Sequence, residues 1–566
     1  MNDGEIRTPV DPPAPGGRGG RWGAWTAAGI LGCLPLIVVL YANGLHGPFQ
    51  YDDRHTIVDN ARLRAGAVDG SWWGAWAAEA GGGHYRPLTS LTYALNHRVG
   101  ALDPFGYHAV NVVLHWGAAA VLMALIGTLA GHPAPAIAAG LLFAVTPANS
   151  EAVNYIAARS SLLASVWYAA AVWMFVLFRR AQARGWRSAL AALGAAVLAL
   201  SALALGLGSK EIAVTAPLLW VCYDLGWSRG IGWKAWFLPY AACGSLLAGY
   251  FLLTGYHGAV LAALAGAQPG VRDVWSNAWT QLAVFPRYVT TFAWPFGLSV
   301  LHDVPVYETP WRPAVLTGGL GLAAVIAWGA HWLLRAGDWR RVAGFFLLWF
   351  PVALLPTLAY PLNVIFQEHR GYIGWMGVSA AVGLAGWAAY RGAAPGSAIR
   401  RVLPISGCVA LLALAVATVA RNPVWSDEVR LWADAVAKAP GSPVAHLNLG
   451  AGYARRGDAP RAIDAYRRAL ELAPDYRLAY FNLGTLYQGR GDYARAGEAL
   501  EAAVRLDPGA AEPLAVLASV YDALGDAARA DETLARAIKA VEVTTASSPA
   551  RLGVADALAK SPRWGS

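Results

Sequence analysis

The sequence predicts an all-α protein in two parts, a polytopic membrane domain of about eleven transmembrane helices followed by an α-solenoid of 34-residue helical repeats. Three observations predict it. Hydrophobic residues make up 56% of the 566 and charged residues 14%, with mean hydropathy +0.39, whereas a soluble domain carries about 25% charged residues. Apolar runs of spanning length recur from 22 to 420. A 34-residue period runs from 443 to 544.

Residues 1–21 are rich in Pro, Gly and polar residues and are expected to be a disordered cytoplasmic N-terminus. The first apolar run, 22–41, lacks a convincing small-residue cleavage site and reads as a retained helix. A span needs about 20 mostly apolar residues. Candidates lie at 22–42, 107–130, 134–148, 153–178, 187–207, 211–226, 234–254, 312–334, 341–360, 371–390 and 402–420. The stretch 278–298 is ambiguous between crossing, re-entrant and interfacial.

The arginines set the topology. Arg7, Arg18 and Arg21 precede the first span, and further groups follow at Arg179, Arg180, Arg184 and Arg187, at Arg229 and Lys234, at Arg335, Arg340 and Arg341, and at Arg391, Arg400 and Arg401. Placed in the cytoplasm, they let eleven spans alternate without conflict, provided 278–298 does not cross. The N-terminus is then inside and the C-terminus outside. The net charge of +9 follows from these loops, so nucleic acid is not an expected partner. The lipid bilayer is. The four cysteines, Cys33, Cys222, Cys243 and Cys408, lie in apolar runs without metal-ligand spacing and read as small buried residues. The Ala-, Gly-, Arg- and Pro-rich usage points to a GC-rich bacterium, and hence to the inner (cytoplasmic) membrane with the tail in the periplasm.

Residues 421–544 have the composition of a soluble helical domain. Segments 443–476, 477–510 and 511–544 align at the tetratricopeptide period. The first carries Leu449-Gly450, Tyr453, Ala462, Tyr466, Ala469 and Pro474; the second Leu483-Gly484, Tyr487, Ala496, Leu500, Ala503 and Pro508; the third Leu514, Leu517, Tyr521, Ala530 and Ala537. A half repeat with Trp432, Ala435 and Pro440 precedes them. Small residues at the eighth and twentieth positions let paired helices approach closely. Such arrays bind peptides or partner proteins in a concave groove, or brace the neighbouring domain. Residues 545–566 read as a disordered tail.

The outside loops gather the remaining charge. The first, 43–106, opens with Gly47-Pro48-Phe49-Gln50-Tyr51-Asp52-Asp53 and closes with His84-Tyr85-Arg86. Glu151 stands at the second outside turn with Arg159 eight residues on, a spacing that puts both on one face of a continuous helix. Ser209-Lys210-Glu211 and Gln367-Glu368-His369-Arg370 equip two further turns. Paired acids such as Asp52 and Asp53 suit a general base, cap a helix, or hold a cation. The residues mark no certain cofactor, and the sequence leaves open a divalent cation, Mg or Mn, at Asp52 and Asp53.

The strings FQYDDRHTIVDN, HYRPLTSLTYALNH, YHAVNVVLH, TPANSEAVNYIAARSSLLA, SKEIAVTAPLLWVCYDL, QEHRGYIGWMG and RNPVWSDEVRLW, followed by the repeats, occur in order from about 41 to 540. In this the chain resembles the transmembrane and tetratricopeptide repeat-containing O-mannosyltransferases and their bacterial relatives. The resemblance implies a GT-C glycosyltransferase domain over 22–420, a polyprenyl-phosphate-linked sugar as donor, and a catalytic site on the lumenal or periplasmic face. It matches Asp52 and Asp53 to the family's acidic pair and Glu151 to its Glu after a His-Pro-like turn. Here Thr146-Pro147-Ala148-Asn149 stands where relatives often show His-Pro-x-His, and Glu368-His369-Arg370 replaces their Glu-Arg. On this reading Asp53 or Asp52 accepts the proton of a Ser or Thr hydroxyl as it displaces the lipid phosphate with inversion. Arg86, Arg159, Lys210 and Arg370 hold the donor phosphate, supported by His84, Glu151, Glu211, Glu368 and His369. The sugar, mannose or another hexose, moves to exported proteins held in the repeat groove. The alternatives are an O-antigen ligase or polymerase and a non-catalytic repeat-bearing scaffold. A transporter is disfavoured because the ionisable residues collect at helix ends and not at mid-membrane.

Overall fold

A computed structural model describes residues 19–60, 63, 86–228, 232–254, 272–361 and 364–543. His84, most of the residues at 1–21, much of the first loop and the tail at 545–566 lie outside the described residues. All regular structure described is helical. The chain divides into two units: Met1–Leu298 with Val304–Ser426, and Asp427–Ser566 with the short segment Ser299–Asp303.

The first unit holds α1 (Gly19–Tyr41), α2 (Pro87–Gly100), α3 (Pro104–Ala130), α4 (Pro133–Val145), α5 (Ser150–Asn154), α6 (Arg159–Ala183), α7 (Ala189–Leu207), α8 (Ala216–Trp227), α9 (Trp233–Thr254), α10 (Val274–Ala293), α11 (Pro313–Arg335), α12 (Trp339–Ala359), α13 (Glu368–Gly392) and α14 (Ala398–Arg421). Nine helices among the described residues are long and apolar enough to span a membrane, and the pair α4 and Pro147–Asn154, bent by 54°, makes a tenth if it is one span. The predicted span at 211–226 is shorter than that test requires. It is a 3-10 turn, Glu211–Thr215, leading into the 12-residue α8.

The bend after α4 has a local cause. Pro147 has no N–H to donate and disfavours helix at the residue before it, and Thr146 is extended at φ −68°, ψ 129°. A second break corrects the reading of 153–178 as one helix. Tyr155 is extended between α5 and a 3-10 turn, Ile156–Ala158. Tertiary bonds take over the backbone groups this break releases. Asn111 Nδ2 donates to the Val153 carbonyl at 3.2 Å, and the Ala157 N–H donates to Asp53 at 2.6 Å. Glu151 and Arg159 therefore do not share a helix.

Arg179, expected in a cytoplasmic loop, is instead buried at the end of α6. Its Nε donates to Asp224 of α8 at 2.9 Å and its Nη1 to the Ala235 carbonyl of α9 at 2.8 Å, so one guanidinium ties three helices.

The ambiguous stretch is α10. It buries a polar face, Ser276, Asn277, Thr280 and Gln281. Asn277 Nδ2 donates to the Thr357 carbonyl near the C-terminus of α12 at 2.9 Å, Phe285 meets Phe350 at 5.5 Å, and Trp375 of α13 donates to the Tyr288 carbonyl at 3.1 Å. Phe350 is about 14 Å from the end of α12 at 1.5 Å per residue. These contacts hold α10 along the halves of α12 and α13 nearest the turn that joins them.

The second unit contains α15 (Glu428–Lys438) and three hairpins: α16 (Pro443–Arg455) with α17 (Ala459–Leu472), α18 (Arg477–Gly489) with α19 (Tyr493–Leu506), and α20 (Ala511–Ala523) with α21 (Ala527–Val543). Helix starts at 443, 477 and 511 reproduce the 34-residue period. At the eighth position, a Cβ on Gly450 would stand 2.6 Å from the Tyr466 ring and one on Gly484 2.6 Å from Leu500, so the close approach requires glycine. Ala462, Ala496 and Ala530 are fully buried at the twentieth. Each hairpin turn repeats one device. Gly457, Gly491 and Gly525 take φ of 76°, 75° and 79°, and the next residue, Asp458, Asp492 or Asp526, accepts a backbone N–H three positions on.

Candidate functional site

The site is assembled from turns at helix ends. Its first wall is the segment after α1. His108 Nε2 bonds the Gly47 carbonyl at 3.0 Å, and Gln50 Nε2 donates to the Trp425 carbonyl. Asn422 Nδ2 donates to the Leu40 carbonyl at 2.8 Å, and its Oδ1 accepts from Asn154 Nδ2 at 2.9 Å. The string RNPVW therefore braces this loop, which explains why the first unit runs on to Ser426. Tyr51 sits at φ 47°, a left-handed backbone that costs a non-glycine residue of order 1–3 kcal/mol. It turns the chain just before the acidic pair.

The two acids have different surroundings. Asp53 is buried, and its oxygens accept the N–H of Gln50 at 2.9 Å and of Ala157 at 2.6 Å. Burial pushes its carboxyl up to about 8, with those amides pulling the other way. Asp52 is half-buried and lines a cavity of about 980 Å³. The Asp52 N–H donates to the Tyr155 hydroxyl at 3.1 Å, and the same hydroxyl bonds the Asp52 side chain. Of the pair, Asp52 faces the cavity and Asp53 pins the loop. Both Asp53 oxygens are engaged by backbone N–H groups, which leaves the Asp52 carboxylate as the part of the pair that lines the cavity. Among the described residues, no three His, Cys, Asp or Glu form a metal-binding group.

The second wall is cationic. Leu88 N–H and Thr89 Oγ1 donate to the carbonyls of Gly208 and Ser209, at 2.9 and 3.1 Å, docking the start of α2 on the turn after α7. That contact brings Arg86 to Glu211, which it meets through Nε at 3.3 Å and Nη2 at 3.0 Å. Lys210 Nζ donates to Ser161 Oγ at 2.8 Å. Burial and Arg86 pull the Lys210 amine down to about 7, against Glu211. Arg370, in the first turn of α13, donates to the carbonyls of Val364 and Ile365 and enters no ion pair among the described residues. His369 beside it bonds Glu151 twice, through its backbone N–H at 3.1 Å and Nδ1 at 2.9 Å. Arg86, Lys210, Glu211, His369 and Arg370 all line the cavity with Asp52, and Ile212, Val214, Phe251 and Leu355 give it an apolar wall.

Arg159 is not part of this wall. Its guanidinium is fully buried. It donates to Asn111 at 3.0 Å, Asn96 at 2.6 Å, Thr92 at 3.3 Å and the Tyr107 carbonyl at 2.9 Å, with its charge over the Tyr93 ring at 4.6 Å. Four of its five N–H donors are spent on joining α2, α3 and α6. Arg159→Met should therefore cost about 3 kcal/mol or more by orphaning several buried acceptors. The folded fraction, measured by thermal unfolding in detergent, should fall, while donor affinity of the protein that folds should hold. Glu368 is buried and does not line the cavity.

Two contributors escaped the sequence reading, Tyr155 and Ser161. Both lie in TPANSEAVNYIAARSSLLA, but nothing in their spacing marks them, because each reaches the site only through the helix break at Tyr155.

Residues 429–542 match the model of the cilia and flagella-associated protein 70 middle TPR-like domain. Protein O-mannosyl-transferase Tmtc1 of Drosophila melanogaster is 39% identical over 199 residues, 34% of this chain and 22% of that protein. Tmtc2 of the same organism is 34% identical over 200 residues, 34% of this chain and 21% of that protein. Human protein O-mannosyl-transferase TMTC4 is 32% identical over 151 residues, 23% of this chain and 20% of that protein. Over these stretches the chain is similar to the TMTC proteins. It spans about a fifth of the length of the curated relatives it matches. Its described helices include nine long and apolar enough to span a membrane, and its C-terminal part carries tetratricopeptide-like repeats.

Proposed function

We propose that this chain is a glycosyltransferase of the bacterial inner membrane. It moves mannose or another hexose from a polyprenyl-phosphate donor to Ser or Thr hydroxyls of exported proteins on the periplasmic face. The observation that carries the reading is one cavity that holds a carboxylate, Asp52, together with the cations Arg86, Lys210 and Arg370. The names of the relatives support sugar transfer to protein. The arginine-rich loops support the orientation, and the contacts of α10 near the turn between α12 and α13 support reading it as a helix that does not cross.

The chemistry follows from those groups. The donor phosphate meets Arg370, Arg86 and Lys210, and its polyprenyl chain runs along the apolar wall. As the acceptor oxygen attacks the anomeric carbon, the bond from that carbon to the phosphate oxygen breaks and the lipid phosphate leaves with the electron pair. Cations fixed in a poorly solvated site stabilise that growing charge more than water does. Asp52 takes the hydroxyl proton. A single displacement inverts the anomeric centre. The repeats serve as the groove for the acceptor segment.

The test is transfer by the full chain in nanodiscs, from polyprenyl-phosphate mannose to a Ser/Thr peptide. The reading predicts an O-linked hexose of inverted configuration, and no product with any hexose donor would refute it. The donor is a phosphodiester with one fixed negative charge, so pH acts through the protein. Lys210, held near 7, is charged below that pH and neutral above it. Donor affinity should therefore fall about tenfold between pH 6 and 8, and Lys210→Arg should flatten the profile in a lipid-binding titration.

A further inference from the structure

The site contains a paired His and Glu that the transfer step above does not use. Glu151 is 1% exposed and both of its oxygens are taken by one residue, the backbone N–H and the ring Nδ1 of His369. Two bonds from one residue to one carboxylate fix the imidazole's rotation. A carboxylate only accepts, so the proton of the ring sits on Nδ1 and leaves Nε2 as the second polar atom. His369 lines the cavity and Glu151 does not. The ring lies within electrostatic reach of Lys210, Arg370, Arg86 and Asp52. A proton on Nε2 would place another positive charge beside three cations, at the N-terminus of α13, so this nitrogen is held as an acceptor.

An acceptor among cations cannot serve the phosphate, whose oxygens it would repel. It matches a hydroxyl, and the hydroxyls nearest the phosphate of a glycosyl donor are those of the sugar ring. We propose that His369, oriented by Glu151, accepts a hydrogen bond from a ring hydroxyl of the donor sugar and so distinguishes a glycosylated lipid phosphate from a bare one. The proposal rests on the glycosyl-donor reading above and adds the group that recognises the sugar. Glu151 acts through His369 and is a positioning residue.

The test measures binding of two lipids to the full chain in nanodiscs: polyprenyl-phosphate mannose, and the methyl phosphodiester of the same lipid, which keeps one negative charge and lacks the sugar. The wild-type chain should prefer the mannosyl lipid. His369→Ala should weaken the mannosyl lipid about tenfold, the scale of one buried hydrogen bond, and leave the methyl ester within about twofold. Glu151→Gln should lose the same discrimination, because its amide can donate to Nδ1 and move the ring proton to Nε2. His369→Gln, which keeps an acceptor, should recover part of the preference. Equal weakening of both lipids in His369→Ala would mean a phosphate contact or a purely structural role and would overturn the proposal. So would undiminished preference for the mannosyl lipid. If the wild-type chain bound neither lipid, the donor reading itself would fall. Preference and transfer retained together in His369→Ala would sink only the role of His369.

Discussion

Asp52→Asn is expected to lower sugar transfer by about 10²–10⁴-fold, the usual worth of a positioned general base. Donor affinity should stay close to wild type and the protein should remain folded. The amide keeps the size of the side chain and can still bond the Tyr155 hydroxyl, but it cannot take the acceptor's proton. The same change at Asp53 should fail differently. Asp53 offers both oxygens to backbone N–H groups, and an Asn there would turn its own NH₂ toward one of them. Asp53→Asn should therefore loosen the loop at Gln50–Asp53, with donor affinity, transfer and thermal stability falling together. Comparing the two variants by transfer rate and by unfolding temperature separates the base from the brace. Equal kinetics with unchanged stability in both would contradict this division of labour.

The second large effect is expected at Arg370. Of the three cavity cations, Arg86 is already held by Glu211 through two guanidinium nitrogens, and Lys210 is partly discharged at neutral pH. Arg370 bonds backbone carbonyls and no carboxylate among the described residues, so its charge is the least neutralised. Arg370→Ala should reduce kcat/KM about 10²–10³-fold, the range seen when one preorganised charge-stabilising donor is removed. Part of the loss should appear in kcat, since negative charge on the phosphate grows as the bond breaks. Arg370→Lys should recover a fraction, because a point charge replaces a planar fork. Removing Arg86 and Glu211 together should cost less, because the ion pair is close to neutral as a unit. A steady-state series over the three variants checks the ranking, and a larger loss in the double variant than in Arg370→Ala would reverse it.

The repeats were the most legible part of the sequence. Their period is written in single residues, and the structure needs those same residues: Gly450 and Gly484 where two helices touch, Ala462, Ala496 and Ala530 opposite. The apolar runs were equally plain, because hydropathy over about 20 residues depends little on tertiary contacts. Helix breaks were harder to see. Tyr155 carries no breaker signal. The break depends on Asp53 and Asn111 arriving from elsewhere in the chain, and with it went the idea that Glu151 and Arg159 share a face. Arg159 and Arg179 were misjudged for a related reason. A sequence gives an arginine's position and charge, but not whether its five donors are already spent. Asp52 and Asp53 are adjacent, so no spacing argument could rank them. The left-handed turn at Tyr51 and the amide of Ala157 decide which one reaches the cavity.

The central claim is that this chain glycosylates exported proteins through Asp52. Mass spectrometry of Ser/Thr peptides from the exported proteins of a deletion strain, complemented with the wild-type or the Asp52→Asn chain at equal expression, tests it most directly. The account predicts hexose-modified peptides with the wild-type gene and their loss with Asp52→Asn. Hexose restored by Asp52→Asn, or an unchanged peptide profile with altered surface polysaccharide, would contradict it.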